Sequence, residues 1–272
     1  MVRADGHHVR GASGADRSDE LEAGVRTVRS DHGDRSRGTR RALLVDLFST
    51  LVADREAEDL GVAGVLGVEG EAFGRELEAV AYERFTGAYG DVGNTLRVVA
   101  GRCGGAPGEE QVREATELRR RYVRRLLHAV PEGTVRTLGG LKGAGWRIGL
   151  VSDATAETPL EWADGPLASY FEVTAFSAEV GAVKPDPKMY LTACHALEVE
   201  PGECVYVGDG GYGELPAAAA LGMYAIRTTE HADSAPSWTG PTITSFTDLP
   251  ALIAGSGPPA DRGQGLGTAD TE

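Results

Sequence analysis

Six short apolar runs, separated by stretches of helical length, constrain this chain more than any other feature. They are 42–47, 147–151 ("RIGLV"), 171–176 ("FEVTAF"), 204–207 ("CVYV"), 223–227 ("MYAIR") and 242–244. None approaches the ~20 apolar residues of a membrane span. Helices are expected between them, near 134–144, 187–198 and 214–221. The second of these starts well, with Asp186 placed to cap and Pro187 at the first helical position. Short buried strands alternating with helices imply a parallel sheet covered on both faces. The expected fold is therefore a doubly wound, Rossmann-like α/β core.

The alternation is interrupted once. Across 53–130 no strand pattern occurs, while Phe73, Leu77, Val80 and Phe85, and then Val112, Ala115, Leu118, Tyr122 and Leu126, fall at helical spacing. The reading is an all-helical domain, 53–130, inserted into an α/β core made of 40–52 and 131–253. An insert leaving the first strand at its carboxyl edge would lie over the place where open α/β sheets bind ligands. Residues 1–39 and 254–272 carry almost no periodic apolar residues and read as disordered tails.

Charge narrows the partners. With 27 Lys and Arg against 41 Asp and Glu, the net charge of −14 argues against nucleic acid or an anionic membrane surface. One basic run stands out, Arg119, Arg120, Arg121, Arg124 and Arg125, and it reads as a solvated helix face among acidic neighbours. The first residues lack the apolar core of a signal peptide. Cys103, Cys194 and Cys204 have no metal-type spacing and read as buried, reduced thiols. The expectation is a cytoplasmic protein, monomer or homodimer, acting on a small molecule.

The chemistry starts at "RALLVDLFSTLV", residues 41–52. A lone carboxylate, Asp46, ends a buried apolar strand, which is costly unless something pairs with it. Three further segments sit after a strand or ahead of a helix on the same side of such a sheet. They are Ser152 in "GLVSDAT", Lys184 in "GAVKPDP" and Asp209 in "VYVGDGG". Each alone has an ordinary explanation as a cap, a turn residue, a surface charge or a tight loop.

In this order, however, the four segments resemble the motifs of the haloacid dehalogenase-like hydrolase superfamily, over about residues 40–253. Asp46 with Thr50 matches the nucleophile motif, and Ser152 the strand-ending Ser or Thr. Lys184 matches the lysine ahead of a helix, and Gly208, Asp209 and Glu214 match the fourth motif. The insert resembles the mobile helical cap of the first cap class. The resemblance implies Asp46 as nucleophile, with Lys184 and Ser152 as its catalytic partners. Mg²⁺ would be held by Asp46, Asp209 and the backbone carbonyl of Phe48, with Glu214 supporting from behind. Thr50, the backbone amides of Asp153 and Ala154, and Arg84 would bind substrate. Such a set suits covalent phosphoryl transfer, in which positioning and charge neutralisation dominate.

Two positions depart from the pattern. The superfamily's phosphatases carry a second Asp two residues after the nucleophile, where this chain has Phe48, and Ser49 replaces the following Gly. Phenylalanine donates no proton, and a missing general acid typically costs ~10²–10⁴-fold when the leaving group needs one. Three readings follow. One is a phosphohydrolase with an activated leaving group, or with an acid supplied by cap or substrate. The second is a 2-haloacid dehalogenase, whose halide leaves without a proton. The third is a non-catalytic binding protein. "VGDGG" favours the first, because Asp209 fits a cation site that dehalogenation does not need. A dehalogenase would need an arginine for its substrate carboxylate, with Arg75 and Arg84 as candidates. The segment 82–94, with Arg84, Phe85 and Tyr89, reads equally as a substrate loop or an interhelical turn. His195, Trp146 and Trp162 are assigned structural roles.

Overall fold

The computed structural model describes residues 42–53 and 60–254. The expected tails at 1–39 and 254–272, apart from Ala254, lie outside the described residues. Six strands form one sheet: β1 Ala42–Val45, β2 Arg147–Ser152, β3 Val173–Phe176, β4 Cys204–Gly208, β5 Tyr224–Thr228 and β6 Thr242–Ile243. All neighbours are parallel, in the order β3-β2-β1-β4-β5-β6. This is a doubly wound order that reverses direction between β1 and β4, and ligands bind such sheets beyond the carboxyl ends at that reversal. Val45 pairs with Leu150 on one side and Val207 on the other. Asp46 therefore emerges level with Gly208, its N–H donating to the Val207 carbonyl at 2.9 Å.

Alternation along β1 divides the core in two. Leu43 and Val45 pack on one face with Leu138, Leu141, Trp146 and Phe246, while Ala42 and Leu44 pack on the other with Met189, Tyr190 and Leu215. Both faces are covered, which is why β1 and β4 read as unbroken apolar runs. Trp146 and Trp162 are both in the first of these clusters.

Helices α1 Val62–Leu66, α2 Gly70–Ala79, α3 Ala81–Phe85, α4 Val92–Arg102 and α5 Glu109–His128 lie between β1 and β2. They are followed by α6 Glu132–Gly143. No strand occurs among the described residues of 60–128. The insert has an apolar cluster of its own, including Leu66, Phe73, Val80, Leu96, Val99 and Ala115. Its starts are capped locally: the Glu69 carboxylate accepts the Glu71 and Ala72 amides, and Asp91 accepts that of Asn94. Helix α5 belongs to both halves, because Val112 and Ala115 pack in the insert whereas Val123 and Leu127 join the sheet's cluster.

The remaining helices cover the sheet: α7 Glu157–Trp162, α8 Ser177–Val180, α9 Pro187–Ala196, α10 Glu214–Ala220 and α11 Leu249–Ile253. Asp186 caps α9 by accepting the Lys188 amide at 2.8 Å, with Pro187 at its first position. His195 is on the exposed side of that helix. Cys194 and Cys204 are buried free thiols, but Cys103, at the carboxyl-terminal cap of α4, is only half-buried. None of the described helices is long and apolar enough to cross a membrane.

Candidate active site

The carboxyl ends of β1 and β4 bring three acids around one lysine. Asp46 is 3% exposed, and its Oδ2 accepts the Thr50 hydroxyl at 2.9 Å. Lys184 Nζ lies 2.6 Å from Asp46 Oδ1 and 2.6 Å from Glu214 Oε2. Glu214 also accepts the Tyr206 hydroxyl at 2.6 Å and the Gly210 amide at 2.8 Å. Asp209 is held by the Gly211 amide at 3.2 Å and by the Ser234 hydroxyl. A carboxylate oxygen each from Asp46, Asp209 and Glu214 falls within 4.8 Å of the others. Gly208 is required by this closeness, since a Cβ there would collide with the Glu214 carboxylate.

Charge in this cluster is out of balance. Burial, aided by Glu214 and Asp209, pushes Asp46 up to about 7 against the pull of Lys184. Asp209 is raised by burial and by Glu214, against its hydrogen bond from Ser234. Burial would lower Lys184, but Asp46 and Glu214 outweigh it and hold the ammonium well above its ordinary value. Tyr206 is raised by burial and Glu214, so it stays a donor. An all-oxygen set with excess negative charge fits a hard divalent cation such as Mg²⁺.

Over the cluster opens a cavity of about 360 Å³, between the sheet's carboxyl end and the insert. The core lines it with Asp46, Phe48, Asp153, Lys184, Asp209 and Glu214. The insert adds Arg84, Phe85, Arg119 and Tyr122. Arg84 donates to the Leu77 carbonyl at 3.1 Å, and burial, with Arg119 nearby, lowers it to about 10. Tyr89 packs into the insert's own cluster instead. The segment 82–94 thus includes a short helix carrying two side chains to the cavity, followed by a turn. Arg75 points away, exposed on α2 with Glu71 at 3.8 Å, which removes it as a cavity arginine.

The residues after β2 are arranged differently from expectation. Ser152 is fully buried and is not among the cavity's lining residues, and its hydroxyl makes only a 3.5 Å contact with the Asp153 carbonyl. The Ala154 amide, expected to face a phosphate, donates to the Ser177 hydroxyl at 2.8 Å. Asp153 does reach the cavity, with its side chain rather than its amide as the anchored group: Oδ1 accepts the Lys184 backbone N–H at 2.9 Å.

The arginine run is the larger correction. Arg121 and Arg125 are exposed as expected, but the other three are not simply solvated. Arg119 pairs with Glu157 at 2.8 Å, and Arg120 and Arg124 both pair with Glu161, at 2.6 and 2.7 Å. Both glutamates are buried on α7, so α5 is fastened to the core along this seam. Sequence reasoning missed Glu157 and Glu161, although their four-residue spacing puts them on one helical face.

A parallel α/β sheet whose central strands end in carboxylates, met by a lysine from the loop before α9, defines a hydrolase core with a charged, sheet-end site. The chain belongs to the haloacid dehalogenase-like hydrolases, whose sequence profile matches residues 40–222. It is 30% identical to phosphoserine phosphatase of Thermus thermophilus, over 68% of this chain and 87% of that protein. It is 32% identical to (S)-2-haloacid dehalogenase 1 of Pseudomonas sp., over 42% of this chain and 51% of the relative. Several curated relatives are spanned over only 39% to 52% of their own length. Among solved structures, a haloacid dehalogenase-family enzyme from Bacteroides thetaiotaomicron superposes with a TM-score of 0.55 at 16% identity. That match covers 74% of this chain and 98% of the other.

Proposed function

We propose that this hydrolase is a cation-dependent phosphohydrolase of a small metabolite, with Asp46 as the nucleophile and the helical insert as its cap. The observation that carries this reading is the convergence of the Asp46, Asp209 and Glu214 carboxylates, two of which, Asp46 and Glu214, bond the ammonium of Lys184. Asp46 and Asp209, with the Phe48 carbonyl, would hold Mg²⁺, which would supply positive charge for the phosphoryl oxygens, while Glu214 supports from behind through its bonds to Lys184, Tyr206 and Gly210.

The chain's own groups do the rest. Thr50 fixes one Asp46 oxygen, leaving the carboxylate oriented to attack phosphorus opposite the leaving oxygen. Water then cleaves the aspartyl phosphate and releases inorganic phosphate. Lys184 stays protonated through both steps and offsets the carboxylates that would otherwise repel the phosphoryl group. Arg84, entering from the insert, meets the substrate's far end. The cavity's size suits a small metabolite.

Dehalogenation is the second reading, favoured by the aromatic ring of Phe48 beside the nucleophile. It gives no role to three converging carboxylates, and a purely binding role gives none to the Thr50–Asp46–Lys184 geometry. The deciding experiment is a panel of phosphomonoesters, acyl phosphates and 2-haloacids, each with Mg²⁺ and with chelator. Phosphate release that chelator abolishes is the expected result. Halide release indifferent to chelator would replace this reading with dehalogenation.

A further inference from the structure

Phe48 leaves a chemical gap that the cavity fills from another loop. The protonatable side chains lining it are the carboxyls of Asp46, Asp153, Asp209 and Glu214, the ammonium of Lys184, the phenols of Tyr122 and Tyr212, and the two guanidinium groups. Asp46, Asp209 and Glu214 form the converging cluster around Lys184. Lys184 holds its proton too tightly to give it up. Asp153 stands apart. It comes from the loop after β2, it is half-buried, and it is not a member of the three-carboxylate cluster.

Resting on the phosphohydrolase reading, we propose that Asp153 is the general acid of this enzyme, relocated from the position Phe48 occupies to the loop after β2. The Lys184 backbone N–H holds Oδ1 at 2.9 Å, which leaves Oδ2 without a hydrogen bond among the described residues. That anchoring fixes the carboxyl beside the lysine that contacts the nucleophile. Burial raises Asp153, and Glu214 adds to the rise, although Lys184 and its amide oppose it. The charged groups sharing its cavity are Lys184, Glu214, Asp46 and Asp209 from the core, and Arg84 and Arg119 from the insert.

In the step itself, the bond from Asp46 oxygen to phosphorus forms while the bond from phosphorus to the bridging oxygen breaks. The bridging oxygen leaves with that electron pair and takes the Asp153 proton. An alcohol departs, an aspartyl phosphate remains, and Asp153 is left as a carboxylate that regains its proton from water.

Asp153→Asn separates this role from simple anchoring, because the carboxamide oxygen still accepts the Lys184 N–H. The measurement is single-turnover release of alcohol from an alkyl phosphate and of phenolate from 4-nitrophenyl phosphate, with Mg²⁺ present. The expected result is a loss of ~10²–10⁴-fold for the alkyl ester and less than ~10-fold for the nitrophenyl ester, whose leaving group needs no proton. Adding Phe48→Asp to that variant is expected to restore part of the alkyl activity. Equal losses on the two esters, or no loss on either, would overturn the assignment while leaving the phosphohydrolase reading intact. Wild-type protein that releases neither product would remove both.

Discussion

Two buried ionic networks, about one cavity apart, are built from similar residues with opposite balance. Around Lys184, the carboxylates of Asp46, Asp209 and Glu214 outnumber the cation, and Asp46 and Asp209 are both raised. Along the seam between α5 and α7, Arg119, Arg120 and Arg124 outnumber Glu157 and Glu161. Burial would raise both glutamates, but the arginines outweigh it and hold them below the usual range. The seam satisfies its charges internally and needs nothing more. The cluster is left wanting a positive charge, the condition in which a buried site gains from binding a cation or reacting with an electrophile.

The sharpest way to break the contrast is at the nucleophile. Asp46→Asn keeps the shape of the side chain and should reduce turnover by ~10⁴-fold or more, with an unchanged circular dichroism spectrum. Retention of most activity would end the covalent mechanism. The seam should answer in stability instead. Glu157→Ala strands Arg119, whose side chain is only 13% exposed, and should cost ~3 kcal/mol, read as a lower urea midpoint. Arg124→Ala removes a 44% exposed partner and should cost ~1 kcal/mol or less. If these two losses were equal, the seam would be a surface feature after all.

Acid should separate the networks by sign. Glu157 and Glu161 are lowered on folding, so their stabilisation is present at neutral pH and is lost only as pH falls below the ordinary carboxylate range. Asp46 is raised from 3.8 to about 7, so its contribution is greatest in acid and declines as pH rises through that interval. Above about 7 the ionised carboxylate is free to hold Mg²⁺, and calorimetry should find tighter binding at pH 8 than at pH 6. Affinity that is flat or falls with pH would remove Asp46 from the cation site. A comparably small effect, of opposite sign, is expected at Ser49, which has a φ of 60° where the superfamily's pattern has Gly. Ser49→Gly should stabilise the protein by ~1 kcal/mol in thermal unfolding, since only a Cβ resists that conformation.

The sheet was legible because its strands are buried on both faces, so burial is written directly into "ALLV" and "CVYV". Asp46 with Thr50, Lys184 and Asp209 were legible for a related reason: each stands just past a strand or ahead of a helix, where topology forces convergence, whereas Glu214 was marked only by the family resemblance. What failed depended on partners far along the chain. The arginines of α5 look solvated until Glu157 and Glu161 are placed against them, 38 and 41 residues away. Ser177 takes the Ala154 amide from 23 residues away, and no local pattern announces it. Ser234, which holds Asp209, lies in a loop with no pattern of its own.

The place of β1 in the sheet has a consequence for how the protein is made. Ala42 pairs with Arg147 on one side and Cys204 on the other, so the central strand emerges first and gains its second neighbour only with the fourth of the six strands. A ribosome-bound chain halted before Cys204 would expose one whole edge of β1, its Asp46 unaccompanied by Asp209 or Glu214. Pairings this distant in sequence fold slowly, in milliseconds to seconds for small domains. The helical insert eases the delay, since its own apolar cluster can form early and draw the intervening chain together. Pulsed hydrogen exchange should therefore protect the amides of α4 before those of β1, and protection of β1 first would show that the central strand does not wait for the insert.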